Sequence, residues 1–154
     1  MTQAVVAGAL AVATLNAVSG LLGAWLWYAG EPSDRSARSF WLLLRIGQGS
    51  ALTLALAVGS LAAAGNYSTE RLFYLYALLP LAVGFIAEQL RVAAAQTILD
   101  QRDLEGAEAV GELPEHEQRL LVSEIVRREI GVMALSALVV VFLALRAAGT
   151  AHGF

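Results

Sequence analysis

Residues 40–64 read FWLLLRIGQGSALTLALAVGSLAAA, 25 positions carrying a single charge, Arg45. A helix needs about 20 residues to cross a hydrocarbon core of about 30 Å, and this stretch exceeds that length. Only helices and closed barrels can span lipid, because every backbone N–H and C=O must find a partner inside the chain. The stretch lacks the period-2 alternation of a barrel strand, so it reads as a transmembrane helix. Working outward, residues 4–28 contain no charge at all, and residues 72–98 are apolar apart from Glu88, Gln89, Arg91 and Gln96. Residues 130–145 are uncharged up to Arg146 and reach spanning length once their polar flanks are added. The expectation is an all-α integral membrane protein, a four-transmembrane-helix bundle with spans at about 4–28, 40–64, 72–98 and 127–147.

Composition supports this. The chain has 154 residues, 58% hydrophobic and 15% charged, with a mean hydropathy of +0.64. Soluble domains average about 45–50% apolar and about 25% charged. A chain this short has too much surface for its volume to bury the excess, so lipid must cover it. The length fits a single transmembrane domain, residues 1–154, with no internal repeat. All ten basic residues are arginines; with the wealth of Ala and Gly, this suggests a GC-rich bacterial genome and hence a bacterial inner membrane. There is no cysteine, which excludes disulfides, thiol catalysis and thiolate metal sites. The first stretch differs from a secretory signal: Met-Thr-Gln supplies no basic segment, and the apolar run exceeds the usual about 7–15 residues. It is expected to remain as a helix.

Orientation follows from the arginines. The first and third loops, with their flanks, hold Arg35, Arg38, Arg91, Arg102, Arg119, Arg127 and Arg128, whereas the other side holds Arg71 and Arg146. The positive-inside rule places the first and third loops in the cytoplasm and both termini outside. Trp25, Trp27, Tyr28, Phe40 and Trp41 would form the cytoplasmic aromatic belt, and Tyr67, Phe73, Tyr74 and Tyr76 the outer one. Ser68 or Thr69 is a candidate cap for the third helix. The third loop, about 101–126, is the longer cytoplasmic one. It begins with an acidic run (Asp100, Asp103, Glu105, Glu108, Glu112, Glu115, Glu117) whose spacing does not match a calcium-binding EF-hand loop. This is expected to be a solvated segment, with a docking surface for a basic partner as the alternative. It turns helical after Pro114, with Glu115–Arg119 and Glu124–Arg128 as i,i+4 ion pairs, and runs on into the fourth span.

Two features inside the spans could carry function. Gly47, Ala51, Ala55, Gly59 and Ala63 recur every four residues in the second span. Such small-residue ladders let helix backbones approach closely in lipid. Packing within one chain is the first expectation and an oligomer interface the second. Ala4, Gly8, Gly20 and Ala24 form a weaker echo in the first span. The other feature is polar. Arg45 and Glu88 lie at similar depth on antiparallel neighbouring helices, Gln48 is one turn from Arg45, Arg91 is one turn from Glu88, and Asn16 adds an amide from the first span. Intramembrane charges are costly, and they pair, face the bundle or mark a pathway. The two readings are a polar site open to the cytoplasm, or a structural Arg45–Glu88 pair with Arg91 reaching toward the headgroups. Gly84 and Pro80, one and two turns from Glu88, could open backbone groups there.

No catalytic constellation is visible. His116 and His152 fall on opposite sides, so neither a metal site nor a bis-histidine haem is expected, and no cofactor is implied. No basic patch suggests nucleic acid. The reading is a non-enzymatic oligomeric or accessory membrane subunit acting through helix packing, its partners the lipid bilayer and a second copy or another membrane protein. The first alternative is a small transporter or channel using Arg45, Gln48 and Glu88; the second is a membrane enzyme acting on a lipid or quinone.

Overall fold

The computed structural model describes residues 2–30, 33–104 and 107–152. Glu31 and Pro32 of the first turn, and Glu105 and Gly106 of the acidic run, lie outside the described residues. The chain forms α1 (Thr2–Ala29), α2 (Asp34–Ala63), α3 (Arg71–Asp100), α4 (Ala107–Gly111) and α5 (Glu115–Thr150). Among the described residues there is no strand. The four long helices are long and apolar enough to cross a membrane.

Their ends follow local chemistry. Ser33 caps α2, its hydroxyl accepting from the Ser36 N–H at 3.3 Å. α2 stops at Gly65, where φ is +83° and the Asn66 N–H returns to the Leu61 carbonyl at 2.9 Å. That left-handed turn suits glycine, which has no Cβ to clash. Asp103 makes the corresponding left-handed turn after α3, with φ at +53°. Ser68 does not cap α3; Glu70 occupies the cap position with no side-chain bond. The Ser68 hydroxyl instead donates to the His152 carbonyl at 2.9 Å, and the Thr69 N–H donates to the same oxygen at 3.1 Å. The residues after α5 are thereby tied to the α2–α3 loop, so both lie at the end of the bundle where α1 begins.

Around the bundle, α1 packs against α2 and, most closely, α5; α3 packs against α5 and only loosely against α2. The interior is built from small residues punctuated by larger ones. Phe73 and Val58 fill the end near the termini, Val12 and Val140 the middle, and Phe40, Leu44, Ile130 and Met133 the opposite end. Glycines set the closest approaches. A Cβ on Gly23 would lie 2.4 Å from the Phe40 ring and 2.7 Å from the Ala134 Cβ, and one on Gly20 would lie 2.9 Å from Leu138. Close van der Waals contact of this kind is the main attraction between helices in lipid.

α5 has 36 residues, a length of about 54 Å at 1.5 Å per residue, well beyond a bilayer core of about 30 Å. Its apolar part begins at Ile130, so roughly its first four turns continue past the apolar zone. The helix thus absorbs residues 115–126 of the sequence-defined third loop, leaving only 101–114 as connection. The projecting arm is held by an Arg119–Glu115 ion pair and by Gln118, which donates to the Leu113 carbonyl at 2.7 Å. Glu124 does not pair with Arg128. Arg102, from the α3–α4 connection, reaches it at 2.7 Å. A tertiary partner displaces the i,i+4 one because α3, which Arg102 follows, packs against α5.

Candidate functional site: a four-charge network beside an α2–α3 cavity

α2 and α3 run antiparallel from the Gly65 turn, which sets Arg45 and Glu88 level with each other. Arg45 Nη1 lies 2.5 Å from Glu88 Oε1 and 2.7 Å from Gln48 Oε1. Gln48 Nε2 donates to the same Glu88 oxygen at 3.5 Å. The other Glu88 oxygen accepts from Arg91 Nε at 3.0 Å. Arg91 continues to Glu129 on α5, Nη1 to Oε1 at 3.4 Å, and its guanidinium stacks 5.4 Å from the Trp41 ring centroid. The result is an alternating line, Arg45–Glu88–Arg91–Glu129, which sums to zero charge and stitches together three helices.

Neutrality matters because a single unpaired charge within the apolar span is costly, by about 2.5–3.5 kcal/mol on insertion scales. Glu88 is the hub: three side chains donate to its two oxygens, which holds the carboxylate in place. Arg91 turns inward to two carboxylates and an indole, rather than out toward the headgroups as one sequence reading had it.

Asn16 approaches from α1. It is fully buried and donates to the Val12 carbonyl at 2.9 Å and the Gly47 carbonyl at 3.3 Å. The second bond explains Gly47, since a Cβ there would sit 3.0 Å from Asn16 Oδ1. Asn16, Arg45, Gln48, Glu88 and Ser136 line one cavity of about 310 Å³ that opens sideways between α2 and α3, with Pro80 and Gly84 on its α3 wall. The polar residues singled out in the sequence therefore meet at one place, Arg91 standing just behind Glu88. Glu129 and Ser136 belong to this region and were not among the sequence candidates, and Trp41, expected in the aromatic belt, stacks on Arg91 here. Glu129 directly precedes the apolar run of α5, at the level Arg91 reaches on antiparallel α3.

The small-residue ladder divides. Gly47, Ala51 and Ala55 are buried against the rest of the chain, whereas Gly59 and Ala63 are exposed. A Cβ on Gly59 would meet nothing within 4 Å. A repeat of four gains about 40° per step on a helix of 3.6 residues per turn, so the ladder winds off the interior face and Val58 replaces it there. In α1, the tight contacts come at Gly20 and Gly23; Gly23 was not part of the sequence pattern. His116 and His152 stand at opposite ends of the molecule, and among the described residues no three His, Asp or Glu side chains converge as a metal site would require.

No family model, curated protein or solved structure matches the chain.

Proposed function

We propose that this chain is a non-enzymatic subunit of a bacterial cytoplasmic membrane, with both termini outside, and that it assembles through the α2–α3 face with a second copy or another membrane protein. One observation carries this reading: α2 and α3 leave a cleft between them, and the Arg45 side chain beside it is 53% exposed, about 7.5 Å inside the apolar stretch that starts at Phe40. Left against hydrocarbon, that guanidinium would lack the polar surroundings it needs. A protein face laid over the cleft would supply them. Gly59 and Ala63, the exposed rungs of the ladder, lie on the same helix and offer a close approach.

The absence of cysteine from the chain makes the test direct. Leu56 and Phe85 point outward from α2 and α3, as Leu21 and Phe142 do from α1 and α5. Single cysteines at Leu56 or Phe85 should form disulfide-linked species in native membranes, and those at Leu21 or Phe142 should not. Exclusively monomeric chain with no co-purifying protein in mild detergent would overturn the proposal.

A second reading is supported by the cavity itself. It brings two carboxamides, a guanidinium, a carboxylate and a hydroxyl together beside a proline-containing helix, polar groups suited to a small polar solute. Solute-dependent flux in liposomes, lost in Gln48→Leu, would favour a transporter over a subunit.

A further inference from the structure

The opposite flank of the bundle, between α1 and α5, carries a second groove of about 410 Å³. Its walls are Ala24, Gly131, Leu135 and Leu138, with Trp27 along one side and Arg128 at one end. The long axis is defined by α5. From Arg128 to Leu138 is ten residues, about 15 Å of helix. Arg128 lies just ahead of the apolar run that begins at Ile130, so the stretch from Ile130 to Leu138 reaches about 12 Å inward, most of the depth of one leaflet in a core of about 30 Å.

The mouth of the groove is built rather than accidental. Arg127 Nε donates to the Trp27 carbonyl at 2.9 Å, and its guanidinium lies 5.8 Å from the Trp27 ring centroid. The indole is laid across Gly131, where a Cβ would come within 2.7 Å of it. Arg128, next in sequence, makes no ion pair among the described residues. Both carboxylates close to it in sequence are taken: Glu124 by Arg102 at 2.7 Å, and Glu129 by Arg91 at 3.4 Å. Arg127 spends its contacts on a neutral carbonyl and a neutral ring, so its charge is not cancelled either. Among the described residues no carboxylate pairs with either guanidinium, so the apolar groove ends at Arg128 with Arg127 beside it across Trp27.

We propose that this groove is a binding site for an anionic phospholipid, one acyl chain lying along Gly131, Leu135 and Leu138 and the headgroup phosphate on Arg128. Guanidinium groups match phosphate oxygens with paired N–H donors, and basic pockets between membrane helices favour acidic headgroups. A zwitterionic headgroup also brings an ammonium, for which the mouth offers no free carboxylate among the described residues. Net negative charge is thus selected at the boundary and chain length by the groove beneath it.

The test is native mass spectrometry of the full chain in mild detergent, titrated in parallel with phosphatidylglycerol, phosphatidylcholine and inorganic phosphate. The wild type should retain one phosphatidylglycerol in preference to phosphatidylcholine, and inorganic phosphate should not compete at matched concentration. Arg128→Gln should weaken phosphatidylglycerol retention by about fivefold, the contribution of one arginine at a charged membrane surface. Ala24→Phe fills the groove without touching Arg128 and should weaken retention of both lipids at this site. Arg38→Gln, which removes a charge at the same end of the molecule away from the groove, should change neither. Equal retention of the two lipids by the wild type would overturn the proposal. So would phosphatidylglycerol binding unchanged in both Arg128→Gln and Ala24→Phe, or phosphate competing as well as lipid.

Discussion

Glu88 is the residue on which the most other polar groups depend. It receives Arg45, Gln48 and Arg91, so its removal takes the carboxylate from Arg45 and leaves Arg91 with Glu129 alone. Losing Arg45 is less damaging, because Glu88 keeps Arg91 and Gln48. Truncating one partner of a fully buried pair costs about 3–5 kcal/mol, whereas replacing both with apolar groups can be nearly neutral; here Arg45 is half exposed, so the losses should be smaller. The expected order of thermal stability in detergent is wild type, then Arg45→Leu, then Glu88→Leu. The double variant should be more stable than Glu88→Leu alone, since Arg91 still has Glu129. Strictly additive losses would show that the network is not coupled. The same residue scale explains why the loop arm pairs as it does. Glu124 has an i,i+4 partner in sequence but takes Arg102, which follows directly on the end of α3.

At the scale of the element, glycine matters by position rather than by number. Gly23 faces the Phe40 ring and Ala134 where α1, α2 and α5 meet. Even a methyl group there requires the helices to separate, and overpacking of this kind usually costs about 1–3 kcal/mol. Gly23→Leu should therefore lower the melting temperature of the isolated chain and reduce its yield. Gly59→Leu should leave that melting temperature nearly unchanged, because nothing lies within 4 Å of the added Cβ. If α2 and α3 form the assembly face, Gly59→Leu should instead shift the oligomer distribution, read by native mass spectrometry or by light scattering in detergent. A large drop in monomer stability from Gly59→Leu would contradict the outward placement of the ladder's upper rungs. The helix most closely engaged with its neighbours is α5, which also projects beyond the apolar zone; α3, at the other extreme, buries the smallest share of its apolar stretch.

At the scale of the whole molecule, the proposed orientation rests on the arginine asymmetry. The end bearing the α1–α2 turn, α4 and the α5 arm carries most of the basic residues, which the positive-inside rule would make cytoplasmic. Single cysteines at Tyr67 and Glu112, both exposed and on opposite ends, should report this. A membrane-impermeant maleimide added to intact cells should label the Tyr67 position and not the Glu112 position. The reverse pattern would invert the orientation and leave the four spans intact. On this arrangement the headgroup end of the α1–α5 groove opens to the cytoplasmic leaflet, whereas the α2–α3 cleft opens sideways within the bilayer.

Length and hydropathy alone determined that the chain has four helices able to cross a membrane and roughly where each begins, because a spanning helix is defined by an uninterrupted apolar run that needs no partner to be recognised. They also brought Arg45 level with Glu88, since a short turn between antiparallel helices converts sequence distance into depth. Tertiary structure decided everything that depends on which way a helix is rotated. It turned Arg91 inward to Glu129, buried Gly47 against Asn16 while leaving Gly59 outside, and made Gly23 the tightest contact. It also gave Glu124 to Arg102, leaving Arg128 at the end of an apolar groove with no ion pair among the described residues. Rotation is invisible in these helices because most are apolar on nearly every face. In lipid the choice of face is made by close packing and by pairing of the few charges, both properties of neighbours rather than of a single helix.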